Sequence, residues 1–398
     1  MENRVYFKNL NALRFFAATA VIFHHVEQYK YWAKLPNIWG NTAIDAFGHK
    51  AVSFFFVLSG FLITYLLLVE EKKTGEINIR NFYLRRVLRI WPLYYLIVIL
   101  SLFIIPFVFD LTQLGVAGRP DNFGLIALLL LLVLPNVVRT FSPVLVGGNQ
   151  LWSIGVEEQF YLVWPVLVRW FSKHMLLFLV GFIVLKISIG QILELFITPE
   201  SPAYFQKSLR LWILLQVEQM AIGAIGAWLL FTSKKSALKL IYNPYIFAIA
   251  IASFAGLFVM SVHHWWMTCF EAIIFIVIIM NLSTNPSIKL SLENKVFSVL
   301  GNISYGIYMY HTVCITVCIF TLRYFEIETS NYTLFNVLLY TMSIIMTIAV
   351  AYLSYEFFEK KFLTLKERFM IVKSGKKAED TSPSEPIIQL NRIVETKS

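Results

Sequence analysis

The sequence predicts an all-α fold, a polytopic transmembrane bundle of about ten spans plus one short apolar segment that is re-entrant or lies at a surface. Three observations predict it. Hydrophobic residues make up 58% of the 398, and mean hydropathy is +0.67. Charged residues make up only 15%, against roughly 25% in a soluble domain, so no soluble core of this size could hide the apolar surface. The 35 Phe and 19 Tyr suit lipid-facing packing and interfacial aromatic belts.

A span needs about 20 mostly apolar residues. Such runs fall at about 10–28, 51–69, 91–109, 151–171, 175–196, 209–231, 244–262, 265–282, 296–321 and 333–356. A further run, Phe123 to Leu134, stops at Pro135 after about 18 Å of helix, short of the ~30 Å hydrocarbon layer. Loop charge sets direction. Lys72, Lys73, Arg80, Arg85, Arg86 and Arg89 mark one cytoplasmic loop, Arg169 and Lys173 a second, and Lys234, Lys235 and Lys239 a third. Lys360, Lys361, Lys366 and Arg368 place the C-terminus inside. All agree only if the 123–134 run does not cross; Lys30, Lys34 and Lys50 fall outside, against the pattern.

The net charge of +10 is thus the signature of cytoplasmic loops in an inner-membrane protein rather than of a nucleic-acid partner. Cys269, Cys314 and Cys318 lie in apolar runs without metal-ligand spacing, and no metal is expected. Arg14 interrupts the first apolar run and no small-residue cleavage site follows, so that run reads as a retained first helix with a cytoplasmic N-terminus. The membrane domain is expected over 1–365. A cytoplasmic tail follows over 366–398, disordered from about Lys373, where Lys, Glu, Ser, Pro and Thr dominate.

Charged groups in hydrocarbon cost at least a few kcal/mol and are functional candidates by default. Arg14 and His25 are eleven residues apart. At about 100° per residue they return to within about 20° of one face, about 16 Å apart along the axis. That places a guanidinium at cytoplasmic depth in line with an imidazole deeper in, an arrangement suited to a long, anionic, cytosolic ligand. The competing readings are a snorkelling arginine and a packed histidine. His24 points about 100° away from His25 and reads as structural.

In "LWSIGVEEQFYLVWP", Leu151 to Pro165, Glu157 and Glu158 face different directions, so at most one addresses a shared site. A carboxylate can orient an imidazole and balance its charge, and Glu157 is the candidate partner of His25. A helix N-terminal acid is the structural alternative. In "RNFYLRRVLRIWPLYY", Arg80 to Tyr95, Arg85, Arg86 and Arg89 crowd the mouth of a span and could hold phosphates; topology alone could also place them there. Ser59-Gly60 in "FFFVLSGFLIT" allows two helices to approach closely. "GNISYGIYMYH" puts Tyr308 and His311 inside a span. Lys186, Glu218 and Glu271 are further intramembrane charges.

Together these stretches resemble the acyltransferase 3 family of integral membrane acyltransferases, from about Asn9 to Phe362. The arginine, ten residues, histidine pattern falls on Arg14 and His25. The FF-V-SGF motif falls on Phe55 to Phe61, RR-LRI-P on Arg85 to Pro92, W-S-x-x-VEEQFYL-WP on Trp152 to Pro165, and ISY-x-x-Y-x-x-H on Ile303 to His311. The closing aromatic-glutamate-basic signature is similar to "FFEKKF". Each motif alone is weak; five in order are specific. Two positions depart. Ser53 stands where many members carry Asp, and Lys361 where a Pro is frequent. The esterase-like domain fused to some relatives is not expected here.

The resemblance implies an acyl-coenzyme A donor, usually acetyl-CoA, reached from the cytosol, and an acceptor hydroxyl on an extracytoplasmic glycan or glycolipid. It implies no permanently bound cofactor. His25 would act as general base or carry the acyl group itself, with Glu157 beside it. Arg14, Arg85, Arg86 and Arg89 would hold the coenzyme, and Ser59, Trp152, Ser153, Glu158, Tyr161, Tyr308 and His311 would line the site. The rival reading is a transporter or flippase for a lipid-linked saccharide, against which stands the lack of an inverted repeat of interrupted helices.

Overall fold

The computed structural model describes residues 4–115, 122–141, 144–258 and 266–374. Helices carry nearly all of them: α1 (Leu10–Trp32), α2 (Thr42–Thr74), α3 (Ile79–Ile99), α4 (Ile105–Val108), α5 (Phe123–Leu131), α6 (Pro135–Phe141), α7 (Leu151–Phe171), α8 (Met175–Phe196), α9 (Ala203–Leu214), α10 (Val217–Phe231), α11 (Lys235–Ile241), α12 (Pro244–Gly256), α13 (Met267–Thr284), α14 (Lys295–Asn302), α15 (Ser304–Tyr324), α16 (Ile327–Ser330), α17 (Tyr332–Ser354) and α18 (Lys360–Glu367). Two π-helical turns, Leu100–Ile104 and Tyr355–Glu359, join α3 to α4 and α17 to α18. The two-residue strands β1 (Arg4–Val5) and β2 (Lys373–Ser374) pair in parallel, so both ends of the described chain meet on one side of the bundle. The tail expected from Lys366 onward is therefore structured as far as Ser374; residues 375–398 lie outside the described residues.

Among the described residues, seven helical runs are long and apolar enough to cross a membrane, or eight if α11 and α12, bent by 51° at their break, form one span. The remaining difference from the expected ten lies in two places. The run Leu151–Phe196 counts as one by continuity, yet Trp164 and Phe182 stand with ring centroids 6.5 Å apart and Phe171 stacks on Phe178 at 4.5 Å. Eighteen residues of straight helix would separate the first pair by about 27 Å, so α7 and α8 fold back on each other at Ser172–His174. The second place is α1. Its 23 residues reach about 35 Å, but Arg14, His24, His25, Glu27 and Lys30 make it too polar to qualify. It tolerates them because it is wrapped by α2, α14, α15 and α17. The short apolar run is α5, nine residues long, or about 14 Å. It breaks at Val133, whose φ is 57°, before α6 begins, and it does not cross.

The core is organised around α2, which packs on α1, α7, α10 and α13. Asn41 caps its start by accepting from the Ala43 amide, and Gly75 closes its end at φ 82°. The tightest crossing is with α10, and Ser59-Gly60 marks it as the sequence suggested. A Cβ on Gly60 would lie 1.9 Å from the Met220 carbonyl oxygen, and one on Gly223 would lie 2.1 Å from that of Val57. The two glycines let the backbones touch directly, the usual device where lipid offers no hydrophobic drive between helices.

The isolated charges of the sequence find partners here. Glu27 accepts from Lys30, from the Ile38 amide and from Tyr340. Glu271 pairs with Lys50 and accepts from Ser53 at 3.3 Å. Lys186 donates to the Trp212 carbonyl at 2.6 Å, within electrostatic reach of Glu218. Replacing Gly60 by Val should lower unfolding stability in detergent by about 1–3 kcal/mol or more, because backbone rather than a movable side chain is in the way. Gly181→Ala, with nothing within 4 Å of the new methyl, should leave the melting temperature unchanged or raise it.

Candidate functional site

His25 is buried and stands edge-on to His311 across the α1–α15 interface, with ring centroids 4.7 Å apart. His25 Nδ1 lies 3.0 Å from the Val21 carbonyl oxygen and 3.2 Å from His311 Nε2. His311 Nδ1 lies 2.6 Å from the Tyr308 carbonyl oxygen. A carbonyl oxygen only accepts, so each Nδ1 carries the proton. His311 Nε2 is then an acceptor facing the His25 Nδ1–H, and His25 Nε2 is left with a free lone pair. The His25 tautomer is set by two backbone carbonyls and a second imidazole. His24 stands edge-on to His25 with ring centroids 4.9 Å apart, but its Nδ1 faces the Ile44 carbonyl at 3.1 Å and its ring packs against Gly48 and Trp39.

Beside this pair, Tyr308 and Ser153 share a hydrogen bond of 2.6 Å, and the Tyr308 hydroxyl also donates to the Gln150 carbonyl at 3.2 Å. Gln150, fully buried, donates to the carbonyls of Gly147 and Met309 and accepts from Thr312. This network fixes the start of α7 against α15.

One helical turn further along α7 the chemistry changes. Glu157 accepts from Ser59 at 2.7 Å and from Tyr161 at 3.1 Å, and it lies within electrostatic reach of Arg14, Arg86 and Arg89. The expected pairing of Glu157 with His25 is not formed. The electrostatic neighbours of His25 are His311, Arg139 and His49. The reason is depth: Gln150 is already buried when α7 begins, so residue 157 sits a turn below the histidines, level with Arg14. Glu158 accepts from the Trp91 indole at 2.8 Å, and its other oxygen is buried without a partner.

The arginines divide by what they touch. Arg85 donates to Glu70 and to the Phe369 carbonyl, both at 2.9 Å, and Glu70 also accepts from the Asn78 amide. Its guanidinium ties α2, α3 and the segment after α18 together, so the expected coenzyme contact at Arg85 gives way to a structural one. Arg86 stacks over Phe82 and Tyr161, 5.4 and 5.5 Å from their centroids, with its Nε buried and unpartnered. Arg14, Arg86 and Arg89 make no hydrogen bond or ion pair to the protein among the described residues. Three mutually repelling guanidinium groups, which feel the carboxylates of Glu157, of Glu158 at Arg86 and of Glu359 at Arg89 without bonding to them, offer donors that an anion could accept.

A stripe joins the two ends. Between Ala51 and Phe61, α2 is buried at every position except Phe55 and Ser59, one turn apart. Ser59 holds Glu157 at the arginine end, and Phe55 lies 6.0 Å from the Tyr308 ring at the histidine end. The accessible line along α2 therefore runs inside the protein. Trp152 lies at the histidine end too, under the Arg139 guanidinium at 5.1 Å. Arg139, on α6, is not among the sequence candidates, because seven residues are too few to show a periodic pattern. Lys366 lies within electrostatic reach of Arg86 and Arg89, where the sequence marks it only as a topology signal.

Comparison with known proteins agrees with the motif order. The family model described as an acyltransferase domain matches residues 7–356. The chain is 28% identical over 379 residues to the O-acetyltransferase OatA of Staphylococcus aureus, covering 89% of this chain and 57% of that protein. It is 28% identical over 370 residues to the peptidoglycan O-acetyltransferase OatA of Listeria monocytogenes, covering 79% and 50%. The chain thus spans about half the length of the curated relatives it matches. No solved structure matches.

Replacing Arg85 by Gln strands the buried Glu70 carboxylate and should lower stability by about 3 kcal/mol. Thermal unfolding would read this as a lower melting temperature, with coenzyme A affinity kept at temperatures where the variant is folded.

Proposed function

The chain belongs to the acyltransferase 3 family, and from that premise we propose that it is a membrane O-acetyltransferase. It moves an acetyl group from cytosolic acetyl-CoA to a hydroxyl of a cell-envelope glycan, of which peptidoglycan is the example its relatives' names supply. The observation that carries the reading is the free Nε2 of His25, left by two Nδ1 protons committed to carbonyls.

The coenzyme's phosphates cannot enter hydrocarbon. They dock on Arg14, Arg86 and Arg89, whose donors no group accepts among the described residues. The pantetheine arm runs along the Ser59–Phe55 stripe, and the thioester ends beside His25. The acceptor hydroxyl approaches from the opposite side. His25 Nε2 takes the hydroxyl proton as the oxygen attacks the thioester carbonyl carbon. The tetrahedral intermediate collapses, the C–S bond breaks, and the leaving thiolate takes the proton back from the imidazolium. His311 Nε2, accepting from His25 Nδ1–H, stabilises that imidazolium, a role often given to a carboxylate. Glu157 serves at the other end, limiting repulsion among the guanidinium groups while the coenzyme is absent. A transporter would need neither the oriented base nor the unpaired cations in line with it.

His25→Ala should reduce acetyl transfer by about 10²–10⁴-fold while coenzyme A still raises the melting temperature; full activity in that variant would end the assignment. Arg86→Gln should weaken coenzyme A binding about tenfold, the loss of one charge-assisted contact, measured by ligand-induced thermal shift. His311→Ala should lower kcat with little change in the donor KM, since it touches the base and not the coenzyme.

A further inference from the structure

Arg139 lies at the opposite end of the stripe from the coenzyme arginines. It projects from α6, which is packed between α7 and α9. Its guanidinium lies over Trp152, 5.1 Å from the ring centroid, and Trp152 is itself buried. The next residue, Ser153, bonds Tyr308 at 2.6 Å. The Tyr308 ring stands 5.7 Å from that of His311, which bonds His25. Arg139 is thus part of the wall around the base, and His25 and His24 both feel its charge.

Like Arg14, it makes no hydrogen bond or ion pair among the described residues. Its nearest charged neighbour is another cation, Arg210 of α9, and Lys207, one turn before, lies over Phe141 of α6 at 5.7 Å. Burial, and after it the Arg210 guanidinium, push Arg139 down to about 10, so it stays charged at neutral pH with no counter-charge beside it. The coenzyme cannot supply that charge. With its phosphates at Arg14 and its thioester at His25, no anionic part of it extends past the base. The missing anion must arrive with the other substrate.

We infer that Arg139, with Arg210 behind it, forms an acceptor subsite for a carboxylate, and that the saccharide acetylated here is an acidic one, oriented by its charged group so that a hydroxyl faces His25. The inference rests on the acetyl transfer proposed above. A bidentate guanidinium–carboxylate contact fixes both distance and direction, which is what selecting one hydroxyl among several requires. Trp152 under the guanidinium, 5.1 Å away, holds it in place for that contact.

The test uses the full chain in nanodiscs of zwitterionic lipid. The probes are a disaccharide of glucuronic acid and N-acetylglucosamine and its carboxyl-reduced, neutral counterpart. The wild type should bind the acidic disaccharide at least tenfold more tightly. Arg139→Gln should erase that preference, Arg139→Lys should restore part of it, and neither should change coenzyme A binding. Equal binding of the two saccharides by the wild type would overturn the subsite. So would an equal loss for both in Arg139→Gln, or an effect of the variant confined to binding of added phosphatidylglycerol. Absence of coenzyme A binding in the wild type would instead remove the transferase reading, and the saccharide comparison would stand apart from it.

Discussion

The structure depends on the cost of a guanidinium group held in an apolar bundle without an acceptor. Isolated charges in hydrocarbon are destabilising by several kcal/mol, and this fold accepts several of them. Where arginine serves the architecture, the charge is fully used. Arg85 meets Glu70 and a carbonyl, and Arg323 meets Glu328 and the carbonyls of Gln113 and Ala33. Among the described residues, Arg14, Arg86, Arg89 and Arg139 have no such partners. The contrast within one chain separates cations that knit helices together from cations that wait for a ligand.

Holding those cations in place requires a rigid frame, and the glycine crossing of α2 and α10 provides it. With the backbones in contact at Gly60 and Gly223, α2 cannot rotate, so Ser59 and Phe55 keep facing inward. The buried network of Gln150, Thr312, Gly147 and Tyr29 does the same for α7 and α15. The first clamp is backbone against backbone, with little conformational freedom to lose; the second holds Gln150 by three hydrogen bonds that offset the rotamer freedom it gives up. The long, charged side chains are thereby left for the accessible line between them.

Much of this was legible in the sequence. Hydropathy and loop charge gave a helical membrane bundle, and the length of the 123–134 run excluded it as a span. Helical arithmetic put Arg14 and His25 on one face, and the structure places both of them inward, one at each end of the same line. What the sequence withheld is which helices stand side by side and at what depth. Glu157 was assigned to His25 from the direction of its helix alone. The start of α7 lies well below the surface, which moves Glu157 one turn inward, and His311 from α15 takes the place beside the base. Arg85 and Arg86 look equivalent as neighbours, but about 100° of rotation turns one to Glu70 and the other over Tyr161. Arg139 had no periodic signal at all, because α6 is only seven residues long.

The absence of a carboxylate beside His25 carries a chemical consequence. An acid next to the base would hold a permanent negative charge, stabilise the imidazolium even at rest, and raise the energy of the thiolate leaving nearby. In the transfer proposed above, a neutral imidazole would orient His25 through one hydrogen bond and add no negative charge where a thioester carbonyl would become an oxyanion and then release a thiolate. The carboxylate of Glu157 is kept a turn away, among guanidinium groups. That separation would let an anionic coenzyme be drawn to one end of the line without a carboxylate opposing the oxyanion at the other, where Arg139 adds only positive charge.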